Sequence, residues 1–246
     1  MKKKRLKKEV LYTILVLFIG LFVVSLVGIT KWFIDHNHIL EIEKEIEEYV
    51  SIDESIKIPV VNVKFEPIKK INKETIAYIY VRGTNISYPV VQADNNEYYL
   101  NHSINGEKNN AGWVFMDYHN KYDGTDKNLI LYGHNRIDGI MFGTLKNTLK
   151  SDWYNDEENL IIQFITEENN YKYQVFSVYK IKAEDYYIRT DFDGDFKEFA
   201  NTLKSRSVHD FNIDLAEDDQ IITLSTCVGY GDTRLVLHAK LIKDTN

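Results

Sequence analysis

Apolar and polar positions follow several distinct rhythms along this chain of 246 residues. Residues 10–30 carry no charge and are dominated by Leu, Val, Ile and Phe; as a helix they would extend about 30 Å, the depth of a bilayer's hydrocarbon layer. Ile39, Ile42, Ile46 and Val50 then recur at steps of three and four among Glu41, Glu43, Glu45, Glu47 and Glu48, the spacing of an amphipathic helix. From 51 to 73 no period holds, and Pro59 and Pro67 predict an extended linker without helix. Beyond it, runs rich in Ile, Val, Tyr and Phe at 75–81, 86–91, 112–116, 128–132, 159–166, 171–181, 220–227 and 234–242 alternate with Gly, Asn and Asp turns. Eight such runs predict a closed or nearly closed barrel. Two stretches of helical spacing interrupt them, at 139–149 and 195–204, the second with Phe196, Phe199, Ala200 and Leu203 on one face. The fold class is therefore mainly β: an eight-stranded barrel with an N-terminal helix and two inserted peripheral helices.

Charge adds orientation to this pattern. Lys2, Lys3, Lys4, Arg5, Lys7 and Lys8 precede the uncharged stretch, against the single acid Glu9. That stretch is longer than the apolar part of a secretory signal, usually ~7–15 residues, and no small-x-small cleavage site precedes Lys31. A single-pass anchor is expected, with 1–9 as a cytoplasmic tail, 10–30 in the cell membrane, 31–73 as a juxtamembrane helix and linker, and 74–246 as an extracellular barrel domain. The formal net charge is −7 despite the basic tail, so no nucleic-acid partner is expected.

One cysteine in the whole chain excludes an intramolecular disulfide. Cys227 ends an alternating run that puts Ile221, Thr223, Ser225 and Cys227 on one face and Ile222, Leu224 and Thr226 on the other. In the following run Arg234, Val236 and His238 share a face. A hairpin around 228–233 would bring Cys227 and Arg234 together at its open end, where a guanidinium could depress the thiol's pKa or hold an oxyanion. The opposing reading is an inert, buried cysteine beside a solvated arginine. A histidine separates the two, and His134 is the candidate: it follows the buried-type run Leu129-Ile130-Leu131-Tyr132 and Gly133, at a strand end where side chains can be presented to substrate. Cys227 and His134 then read as nucleophile and acid/base partner. No metal or other cofactor is expected. Asp191, Asp193 and Asp195 with Glu198 lack the spacing of a calcium loop, and a turn in which Asp193 or Asp195 caps the next helix fits better.

Thr223-Leu224-Ser225-Thr226-Cys227 followed by Arg234, with Tyr132-Gly133-His134 upstream and an N-terminal anchor, resembles the sortase family. Trp113-Val114-Phe115-Met116-Asp117, Met141-Phe142-Gly143 and Tyr187-Ile188-Arg189-Thr190-Asp191-Phe192 resemble its class B. The resemblance implies a cysteine transpeptidase of the Gram-positive cell surface. Cys227 would cleave a surface protein's C-terminal sorting signal after threonine through a thioacyl enzyme. His134 would serve as acid and base, and Arg234 would stabilise the oxyanion. The acceptor would be an amine of a peptidoglycan precursor or a pilin. Asn96 and Leu100 would form one side of the substrate groove, Tyr187 and Ile188 the other, and Ser225 its floor. Val228 stands where other class B members have an acidic or polar residue, which leaves an NPQTN-like and an xPxTG-like signal both open. The residues alone also admit a hydrolytic cysteine peptidase with the same Cys-His-Arg set, or an anchored scaffold whose cysteine is inert.

Overall fold

The structure is a computed structural model and describes residues 7–123, 125–227 and 232–243, with Cys227 described for its backbone. The chain forms two compact units, Met1–Glu43 and Lys44–Asn246. Helix α1 (Lys8–Glu47) runs for 40 residues and makes up the first unit from Lys8 to Glu43 and the first four residues of the second. No glycine or proline falls between 31 and 47 to break it, so the apolar stretch and the acidic amphipathic stretch join in one helix. Its most apolar 18-residue window has a mean hydropathy of 2.9 and is 0% buried, long and apolar enough to cross a membrane.

The expected extended linker is structured. Strands β1 (Val50–Asp53) and β2 (Val60–Val63) pair antiparallel, Val50 opposite Val63, and α2 (Phe65–Ile71) follows with Phe65 and Ile68 buried. Pro67 does not stop this helix because it occupies the first turn, where a backbone N–H has no intrahelical acceptor to lose.

The eight remaining strands close a barrel. In chain order they are β3 (Thr75–Val81), β4 (Ile86–Val91), β5 (Phe115–Met116), β6 (Asn128–His134), β7 (Ile161–Ile165), β8 (Asn170–Lys182), β9 (Ile221–Cys227) and β10 (Thr233–Leu241). Around the barrel the order is β10-β8-β7-β3-β4-β5-β6-β9, with β9 returning to β10. Only β4–β5 and β6–β9 are parallel among these pairs. The run at 112–116 shortens to two residues because Gly112 turns with φ +62° and the Trp113 N–H donates to the Tyr99 carbonyl, outside the ladder.

Both helical inserts are present in altered form. The first is a 3-10 turn at Leu145–Leu149 followed by the single turn α3 (Ser151–Tyr154). The second is α4 (Phe196–Ser205), which buries Phe196, Phe199, Ala200 and Leu203 against Phe176, Tyr179, Ile221 and Val236 on the outer face of the barrel. Asp195 does not cap it through its side chain. Arg189 donates to the Asp195 carboxylate at 2.8 Å instead, and Glu217 takes the cap's role by accepting from the N–H groups of Phe196 and Lys197 at 3.0 and 2.8 Å. A carboxylate there also meets the positive end of the helix dipole.

Candidate active site

Strand register assembles the site. In the parallel β6–β9 pair, Tyr132 lies beside Ser225 and His134 beside Cys227. In the antiparallel β9–β10 pair, Thr223 faces His238 and Ser225 faces Val236, where the ladder ends; beyond it the Leu235 N–H donates to the Thr226 hydroxyl oxygen, and Arg234 precedes Leu235 on β10. Paired residues project to the same side of a sheet. Here that side is the outer face, where Thr223 Oγ1 lies 2.8 Å from His238 Nδ1. His134 and Cys227 are thus register neighbours, and Arg234, near the start of the adjoining β10, lines the same cavity as His134. The side chain of Cys227 and the loop 228–231, including the Val228 position, lie outside the described residues.

A cavity of about 490 Å³ opens over these strands. Asn96 and Leu100 line one side, Phe115, Tyr132, His134, Thr226 and Arg234 the back, and Ala183, Glu184, Asp185, Tyr187 and Ile188 the other side. Ser225 lies beneath, its hydroxyl 3.1 Å from that of Tyr187. Among the described residues, no group of three or more His, Cys, Asp or Glu could hold a metal ion.

His134 is the last residue of β6 rather than a loop residue. Its Nε2 lies 2.7 Å from the Leu100 carbonyl oxygen. A carbonyl can only accept, so Nε2 carries a proton, and in the neutral ring the lone pair is on Nδ1. Burial holds the His134 pKa below the ordinary histidine value, with the Leu100 hydrogen bond opposing this and the Arg136 charge adding to it, which favours the neutral ring. Two glycines make this geometry possible. A Cβ on Gly112 would stand 2.5 Å from the Tyr99 carbonyl oxygen and 3.0 Å from both His134 Cδ2 and the Leu100 oxygen. Gly133 serves packing rather than turning, since a Cβ there would come within 2.7 Å of the Phe142 ring. Arg234 Nη1 is buried without a hydrogen-bond partner among the described residues, a donor available to an oxygen in the cavity.

Two polar groups that the sequence reading did not assign support the sides of the cavity. The buried carboxylate of Asp117 accepts from Asn96 Nδ2 and the Tyr132 hydroxyl, each at 2.8 Å, and from the His119 N–H at 2.9 Å. His119 Nδ1 lies 2.8 Å from it. Asn96 Oδ1 in turn accepts from the Tyr118 N–H, which fixes the amide's orientation. Across the cavity, Glu184 accepts from Arg206 at 2.6 Å. Asp117 directly follows an apolar run, a signal that points to a buried carboxylate but not to its partners.

The comparisons with known proteins agree with this arrangement. The Sortase domain family model matches residues 79–242. Sortase B of Staphylococcus aureus is 40% identical over 188 residues, covering 74% of this chain and 76% of that protein. Among solved structures, sortase B of B. anthracis in complex with AAEK1 superposes with a TM-score of 0.73 at 34% identity, covering 86% of this chain and 99% of that one. The Staphylococcus aureus sortase B–substrate complex gives a TM-score of 0.68 at 39% identity, covering 74% and 85%. With a closed eight-stranded barrel, the matched motifs and these relatives, the chain belongs to the sortase family, in its class B, and is a sortase-type cysteine transpeptidase.

Proposed function

We propose that this enzyme is held in the cell membrane by 10–30, with the barrel outside, and cleaves a C-terminal sorting signal after threonine before passing the surface protein to a cell-wall amine. The observation that carries this reading is that His134 pairs in register with Cys227 and shares the lining of one cavity with Arg234. Cys227 attacks the threonine carbonyl as its thiol proton passes to His134 Nδ1, the ring nitrogen left free by the Leu100 hydrogen bond. The resulting imidazolium gives that proton to the departing amine, leaving a thioacyl enzyme and a neutral imidazole. An incoming amine then attacks the thioester, its proton goes to Nδ1 and on to the leaving thiolate, and the thiol is restored. Arg234, whose Nη1 has no partner among the described residues, stabilises the oxyanion in both halves. Asn96, Leu100, Tyr187, Ile188 and Ser225 form the walls and floor that bind the signal peptide.

The amine requirement separates this from hydrolysis. The ectodomain from Lys31 onward is to be incubated with a library of quenched sorting-signal peptides, with and without amine acceptors. Cleavage that is lost in Cys227→Ala, His134→Ala and Arg234→Ala, together with amide product in the presence of an acceptor, is the expected result. Equal cleavage by wild type and Cys227→Ala rejects the mechanism, and cleavage without amide product for every acceptor favours a peptidase.

A further inference from the structure

The side of the cavity formed by Tyr187 and Ile188 is a loop laid over the outer face of β6, β9 and β10, and the polar groups underneath it are fully buried. Asn128, Thr223 and His238 each have 0% exposure. Asn128 Nδ2 donates to the carbonyl oxygens of Tyr187 and Arg189, at 3.2 and 2.9 Å, so its Oδ1 faces the other way and accepts from the Thr223 hydroxyl at 2.6 Å. Thr223 has one proton and has spent it, so at 2.8 Å it must accept from His238 Nδ1–H. His238 Nε2 is then the bare nitrogen and accepts from the Tyr179 hydroxyl at 2.9 Å. Every donor along this line points in one direction, from Tyr179 toward the loop. Burial, aided by the nearby Arg206 charge, pushes the His238 pKa down to about 3; the ring stays neutral and the direction does not reverse at neutral pH.

We infer that Asn128, Thr223 and His238 are positioning residues that hold the Tyr187–Arg189 backbone at the height needed to seat the substrate peptide, and so set substrate affinity rather than the chemical step. This rests on reading the cavity as the peptide groove. None of the three lines the cavity; they act through the two carbonyls. The line also accounts for a buried threonine and histidine beside the apolar cluster of Phe176, Phe199 and Val236. An apolar pair there would pack equally well but would leave the Asn128 amide free to rotate away from the loop.

The test compares Thr223→Val, which keeps shape and removes the hydroxyl, with Thr223→Ser, which restores it. Two readouts are needed: amide hydrogen exchange at 186–190, and KM and kcat for a cleaved sorting-signal peptide. Thr223→Val is expected to speed exchange there and raise KM about tenfold with kcat within about twofold, a loss of one buried hydrogen-bond relay. Thr223→Ser should return both toward wild type. The rate of Cys227 alkylation by iodoacetamide should not change in either. Asn128→Leu should exceed the Thr223→Val effect, and if it fails to fold, the Thr223 pair still decides. Unchanged exchange and KM in folded Thr223→Val overturn the inference, as does a fall in kcat alone or a Thr223→Ser variant no better than Val. If wild type cleaves no peptide while exchange responds as expected, the groove reading fails and the positioning of the loop stands.

Discussion

The two sides of the cavity are held by opposite kinds of chemistry. On the Asn96 side a single buried carboxylate, Asp117, gathers donors from Asn96, Tyr132 and His119 at 2.8 to 2.9 Å. On the Tyr187 side a line of neutral groups passes hydrogen bonds from Tyr179 through His238, Thr223 and Asn128 to two backbone carbonyls. A carboxylate hub concentrates its effect: one substitution releases several donors at once, each costly to leave unpaired. A relay distributes it over neutral groups: removing Thr223 or His238 breaks two bonds and removing Asn128 three, with no charge left behind. The hub side is also joined to the catalytic machinery, because the Leu100 carbonyl that lines the cavity fixes the His134 tautomer. The relay itself meets the loop at two backbone carbonyls, and its consequences should be confined to binding.

The largest effect is expected where the hub side meets His134. Gly112→Ala forces a Cβ to within 2.5 Å of the Tyr99 oxygen at a φ of +62°, a conformation that costs an L-residue energy even without the clash. Leu100 and His134 would have to separate, and kcat should fall by on the order of a hundredfold, measured with saturating peptide. Asp117→Ala comes next. It removes the acceptor shared by Asn96, Tyr132 and the His119 N–H and should cost about 3 kcal/mol in urea unfolding, with KM raised more than tenfold. Loss of stability with unchanged KM would show that the hub supports the fold but not the groove.

How much of this was legible in the sequence follows the same division. Alternation along 220–227 and 234–242 put Thr223, Ser225 and Cys227 on one face and Arg234, Val236 and His238 on another, and the register makes those faces one. The barrel was legible for the same reason, since each strand is specified by its own period. Contacts between distant segments were not. Nothing local marks Asn128 as the residue that holds Tyr187 and Arg189, or Asp117 as the partner of Asn96, because a hydrogen bond across 59 or 21 positions leaves no period. The linker reading failed at Pro67 for a local reason. A proline forbids a helix interior but not a first turn, and placing it there requires knowing that the helix begins at Phe65.

Acid titration separates the sides again. His238 is refused a proton in the folded state down to about pH 3, while the unfolded chain takes one up near pH 6.5. The unfolded state therefore binds more protons throughout that window, and stability falls as pH drops through it. Between pH 6.5 and 5 this amounts to roughly 2 kcal/mol. His238→Gln should lack this part of the slope, so chemical unfolding of wild type and variant at several pH values should converge toward acid. Parallel curves would mean that His238 is not held neutral by its burial beneath α4.

The smallest effect is expected at the outer end of the relay side. Glu184 lines the cavity and pairs with Arg206 at 2.6 Å, but their side chains are 35% and 25% exposed, and a pair so open to water is screened and contributes about 0–1 kcal/mol. Arg206 also keeps other support, with its guanidinium 5.0 Å from the Tyr186 ring and 5.9 Å from that of Tyr179. Glu184→Gln should therefore move KM by no more than about twofold and lose even that at high salt. If Glu184→Gln raised KM as far as Thr223→Val, the loop would be held from its exposed edge by charge rather than from beneath by the neutral relay, and the two sides of the cavity would be alike in kind.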